Sequence, residues 1–165
     1  MRRIVVLLLV AIPALTAPPG TIRITGQIPC AGYLAPADAE PGLLLVGSGT
    51  AVSIHAPPGR TSFTLSLRTN CSYRLVAAQL SGAGLQVVEG AVSAAGGGAH
   101  LAASALQASI APVALGTAPT AFASGHRVSN GGNNRTVDNA ILLRIVVESN
   151  GPEEAVANVA LELVP

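Results

Sequence analysis

The chain has 165 residues, 50% of them hydrophobic and 10% charged, with nine Arg, no Lys and a formal charge of +1. That hydrophobicity excludes disorder of the whole chain, and the 18 Gly and 12 Pro follow no three-residue period, which excludes a collagen-like rod. Without Lys there is no P-loop lysine, Schiff base or Ser–Lys catalysis, and without a basic block there is no electrostatic footprint for nucleic acid.

Residues 1–17 read as a secretory signal peptide. Arg2 and Arg3 make a short positive start, residues 4–12 are an apolar run, Pro13 ends it, and small residues follow at Ala14 and Ala17. The run is too short to span a bilayer, which takes about 20 apolar residues. No later segment is apolar for long enough to anchor the chain. Cleavage after Ala17 or Ala14 is expected, leaving residues 18–165 as one slightly acidic domain with no membrane span. Its place is then the periplasm, the cell surface or the medium. Export sets the reading of the two cysteines: an isolated pair in an oxidising compartment forms a disulfide. Cys30 and Cys71 would close a loop of about 41 residues. The competing reading is a metal site with His55, His100 or His126, but neither CxxC nor HxxxH is present.

Residues 21–28 alternate, with Ile22, Ile24, Gly26 and Ile28 on one face and Thr21, Arg23, Thr25 and Gln27 on the other. A period of two predicts a strand with one buried face. Residues 29–41 read as an exposed loop, marked by Pro36, Asp38, Glu40 and Pro41. Residues 43–46 and 51–55 are apolar pieces separated by Gly47-Ser48-Gly49, and Ala56-Pro57-Pro58-Gly59 is a turn. Over residues 62–68, Phe63, Leu65 and Leu67 point inward while Ser62, Thr64, Ser66 and Arg68 point outward. Residues 73–80 give a further strand, Gly82 and Gly84 break it, and residues 85–89 resume.

Residues 90–125 admit two readings. Leu101, Ala105, Leu106 and Ile110 could form one helical face, or Pro112 could split residues 107–115 into short strands; short strands and loops are preferred. Residues 140–149 are a strand with Leu143, Ile145 and Val147 on one face and Arg144 and Glu148 on the other. Asn150-Gly151-Pro152 turns the chain, and residues 158–164 place Val159, Leu161 and Leu163 on one face. Closely spaced strands with Gly/Pro turns read as an all-β sandwich or barrel, and an antiparallel sandwich is preferred.

The search for chemistry returns little. There is no GxSxG elbow and no zincin motif. Gly47-Ser48-Gly49 lacks the third glycine and the helix of a dinucleotide fingerprint. The pairs Asp38/Glu40 and Glu153/Glu154 flank prolines and read as solvated charge, not as a glycosidase pair. No catalytic activity, metal or cofactor is expected. The most polar cluster is Asn130-Gly131-Gly132-Asn133-Asn134 with Asp138 and Asn139. Oxygens of Asn130, Asn133, Asn134 and Asp138 could hold Ca²⁺ or a sugar, although Asx turns account for the same residues. Asn70-Cys71-Ser72 and Asn134-Arg135-Thr136 match N-x-S/T.

Ile22, Ile24, Gly26 and Ile28 ahead of Cys30 resemble the mature N-terminus of chaperone–usher pilins, an apolar-x-apolar-x-Gly-x-apolar extension before the first Cys. Phe63, Leu65 and Leu67 leading to Cys71 are similar to the strand before that family's second Cys, and residues 158–164 look like its last strand. Val164 stands where the family has its penultimate Tyr, and spore-coat-U-like secreted proteins are resembled nearly as well. The resemblance implies an immunoglobulin-like, pilin-like sandwich used as a subunit of a surface fibre or coat. It further implies assembly by strand donation, with copies of itself or related subunits as partners and a periplasmic chaperone before them. Ile22, Ile24 and Ile28 would then be plugs, and Gly26 would let the backbone pass a crowded point. The alternative is a secreted carbohydrate- or surface-binding module using the Asn-rich loop.

Overall fold

Alternation of apolar residues with polar ones carries most of the described residues into strands. The computed structural model describes residues 29–94, 108–126 and 141–164, and no helix occurs among them. The strands are β1 (Gly32–Ala39), β2 (Leu44–Val46), β3 (Ala51–Ala56), β4 (Gly59–Thr69), β5 (Ser72–Ser81) and β6 (Leu85–Ala94). They continue as β7 (Ser109–Ile110), β8 (Val113–Ala114), β9 (Thr120–Gly125), β10 (Ile141–Ser149) and β11 (Ala155–Val164). One sheet has five strands in the order β1-β4-β10-β6-β8, and the other has six in the order β2-β3-β11-β5-β9-β7. Every pairing is antiparallel.

The two sheets pack face to face as a β-sandwich. The five-stranded sheet contributes Phe63, Leu65 and Leu67 from β4 and Leu143, Ile145 and Val147 from β10, all buried. The other sheet answers with Val52 and Ile54 of β3, Ala157 and Val159 of β11, and Tyr73 and Leu75 of β5. Each fully buried Leu, Ile, Val or Phe contributes roughly 1.5–3 kcal/mol. The most regular alternation therefore takes central places: β10 lies between β4 and β6, and β11 between β3 and β5. The expected all-β sandwich is found, and so are the turns at residues 47–49, 56–59, 82–84 and 150–152.

One stretch departs from the sequence reading. Residues 29–41, expected as an exposed loop, contain β1. Among the described strands it pairs only with β4, and its register slips between Pro36 and Asp38. An edge strand with a bulge tolerates a proline, because no second neighbour needs its missing N–H. Leu34 anchors β1 with a fully buried side chain.

Both flanks of the sandwich are stitched. On one side Leu34 N–H donates to Gly49 O at 2.7 Å, and Gly49 N–H returns to Leu34 O at 2.8 Å. On the other, β7 and β8 step from one sheet to the other across Pro112, in keeping with short strands there. Ala111 N–H reaches Phe122 O at 2.7 Å, and Leu115 N–H reaches Leu85 O at 2.9 Å. Gly125 pairs with Tyr73, and a Cβ on that glycine would come within 2.6 Å of the Tyr73 ring. The glycine thus leaves room for the Tyr73 ring, the largest of the buried aromatics.

Candidate functional site

The Cys30–Cys71 disulfide is formed, and neither cysteine is free. This excludes thiolate metal ligation by the pair. Among the described residues no three His, Cys, Asp or Glu side chains gather at ligating distance. His55 Nδ1 lies 3.1 Å from Glu154 Oε1, and His126 Nδ1 lies 3.3 Å from Ser72 Oγ. Predicted strand residues Ile22, Ile24, Gly26 and Ile28 lie outside the described residues. So do Asn130, Asn133, Asn134 and Asp138 of the polar loop, and Leu101, Ala105 and Leu106 of the helical alternative.

What the structure builds is the root of that N-terminal segment. The disulfide sits at the end of the β1–β4 ladder, where Gly32 opposes Thr69. Beside it, Asn70 acts as one more rung. Its side-chain amide donates to Pro29 O at 3.0 Å, and its side-chain oxygen accepts from Ala31 N–H at 2.7 Å. Its own N–H donates to Ala31 O at 3.2 Å. Residues 29–31 are thus held by a covalent bond and three hydrogen bonds, and the N-x-S match at Asn70 has a structural use.

The strand edges are the second feature. β2 is three residues long and among the described strands pairs only with β3, and its Leu44 and Val46 are 56% and 49% exposed. β11 is flanked by β3 as far as Ala160, and Leu161 N–H reaches Thr50 O at 2.8 Å. Among the described residues, its last three positions pair only with β5.

The third is a dish of about 340 Å³ on the outer face of the five-stranded sheet. Its floor is made of small side chains, Ser62 and Ala91, with Val146 between their strands. Longer side chains stand around it. Arg60 Nη2 donates to Glu89 Oε2 at 2.8 Å across one side. On another, Ser62 Oγ donates to Glu40 Oε1 at 2.6 Å, and Ser62 N–H donates to Glu40 Oε2 at 3.0 Å. These two bonds, with a smaller contribution from Arg144, hold the Glu40 carboxyl below its ordinary pKa of 4.5. Glu40 was expected as solvated loop charge; instead it is tied to β4, because the edge strand before it delivers it there. A general acid needs the opposite shift. The sequence signal available was only the outward pattern of Ser62 and Arg144, which does not say which carboxylate they meet.

No family model, curated protein or solved structure matches the chain.

Proposed function

We propose that the chain is an exported structural subunit that assembles with copies of itself or related subunits, donating residues 21–28 as a strand to its neighbour. The observation that carries this reading is the open edge at β2, which among the described strands pairs only with β3 and leaves Leu44 and Val46 56% and 49% exposed. Three isoleucines at alternate positions still require burial, worth roughly 1.5–3 kcal/mol each. A neighbouring subunit offers a surface for them. The clamp at Asn70 and Cys71 supports the same reading, since it gives an extended donor a firm base. Eight residues reach about 26 Å when extended, enough to run along one sheet edge. The disulfide is compatible with export, and among the described residues no helix is long and apolar enough to cross a membrane. The resemblance to pilins adds a periplasmic chaperone as the earlier partner and an immunoglobulin-like description of the sandwich.

The test is native mass for the wild type, a deletion of residues 18–28, and Ile24→Asp. Ordered multimers are expected from the wild type alone. Both variants should remain folded, with cooperative melting, and stay single. A wild type that is a stable monomer with no partner, together with a deletion variant that unfolds, overturns the proposal.

A further inference from the structure

We propose that the outer face of the six-stranded sheet is a self-association surface, on which a second copy of this chain packs sheet against sheet. The face is separate from residues 21–28 and does not depend on strand donation.

The two outer faces differ in kind. Where one face of a sheet meets water, the outward positions of its strands are polar. β4 of the five-stranded sheet follows this, with Thr64, Ser66 and Arg68 opposite the buried Leu65 and Leu67. β11, central in the other sheet, turns Val156, Asn158 and Ala160 outward, opposite the buried Ala157 and Val159. Register carries this character to the neighbouring strands. Ala160 stands between Ala51 of β3 and Val76 of β5, and Val76 stands opposite Ala121 of β9. One row along, Asn158 stands between Ser53 and Ala78. On the β2 side, Leu44 and Val46 lie beside His55 and Ser53 and are largely exposed.

The polar groups of the face choose the occupant. At one end Arg74 Nη2 donates to Glu162 Oε2 at 3.0 Å, and at the other His55 Nδ1 lies 3.1 Å from Glu154 Oε1. Each of these groups has its counterpart on the same face, so a nucleic acid or an acidic polysaccharide meets no unmatched charge. The central Asn158 carries donors and an acceptor in one amide, and another amide satisfies both. A two-fold axis along β11 brings the Asn158 side chains of two copies together and lays β3 of each over β5 of the other. Ala51 then lies over Val76 and Ser53 over Ala78, small against small, as suits sheets stacked about 10 Å apart.

The area sets the strength. At about 3.4 Å per residue and about 4.8 Å between strands, β2, β3, β11, β5 and β9 cover roughly 600 Å². Two such faces bury about 1,200 Å², the lower end of the range for specific pairs. The pair is therefore weak: separate domains stay single at low micromolar concentration and pair toward about 1 mM. Subunits already linked present several faces at once and gain from it. A strand added at the open β2 edge would widen the same face.

The experiment is sedimentation equilibrium of Ile24→Asp, in which strand donation is blocked, from about 5 μM to about 1 mM, with NMR shifts followed over the same range. The mass should rise from one copy toward two, and the signals that move should be those of Ala160, Ala78 and Val46. Asn158→Asp and Asn158→Lys should each weaken pairing at least about tenfold, by setting like charges against each other in a buried place. Mixing the two should restore it, because only a copy-to-copy contact sets residue 158 against itself. Val46→Glu should weaken pairing as well, and Arg68→Gln on the opposite sheet should leave it unchanged. Melting curves confirm that each variant is folded, and Val46→Glu, at an exposed edge position, decides the matter if the Asn158 variants are not. The proposal is overturned if the mass stays at one copy throughout, if the moving signals lie on the five-stranded sheet, or if folded Val46→Glu pairs like the parent. Binding to phosphatidylcholine vesicles without pairing also overturns it and gives the face to a lipid surface. Growth of Ile24→Asp beyond two copies counts against strand donation alone, and the mass of Val46→Glu then still decides for or against this face.

Discussion

Breaking the Cys30–Cys71 bond tests how the edge strand is held. The bond joins residues 41 apart and closes the end of the β1–β4 ladder. In the chain-entropy description, a loop of that length restricts the unfolded chain by roughly 4 kcal/mol. In the folded state little changes on reduction. The β1–β4 pairing, the Leu34–Gly49 bridge and the Asn70 bonds all remain to keep β1 in place. The effect should therefore appear as lower stability of an intact fold, not as loss of the sandwich. At about 2–4 °C per kcal/mol for a domain of this size, the melting temperature should fall by roughly 8–16 °C. Thermal melts followed by circular dichroism, with and without reductant, give the shift, and a Cys30→Ser/Cys71→Ser variant serves as the permanent form. Hydrogen exchange should show β1 opening first in the reduced protein. A fall of less than about 3 °C, outside the range expected for closing such a loop, would refute the reasoning.

Two further outcomes follow from particular side chains. Among the described residues the buried Tyr73 hydroxyl has no hydrogen-bond partner, and burial pushes its pKa up to about 12. Tyr73→Phe should accordingly be neutral or up to about 1 kcal/mol more stable in urea melts, and a loss above about 2 kcal/mol would mean that the hydroxyl has a partner. Glu40 has a lowered folded-state pKa, so its contribution is fully present above its ordinary value of 4.5 and is lost as pH falls through the folded value. Glu40→Gln should be less stable than the wild type at neutral pH, with the gap closing in acid. A gap that does not change with pH would show that the Ser62 bonds do not favour the charged form.

Alternation by itself determined the central strands. β4, β10 and β11 each bury every second residue over long runs, and a period of two has one structural solution when one face must leave water. The disulfide was equally legible, because two cysteines in a chain whose first residues read as an export signal have one intramolecular pairing. Glycine and proline clusters marked the turns, since few other residues adopt those backbone angles without strain. β1 was not legible. Pro36, Asp38 and Glu40 give it the local composition of a loop, and only its position at a sheet edge makes a proline harmless. The dish was hidden for a related reason. Glu40 meets Ser62 across 22 positions, and Arg60 meets Glu89 across 29. Local pattern tells which way a side chain points from its own strand. Which strand lies alongside is decided by the packing of two complete sheets, where the fit of many distant side chains is settled together.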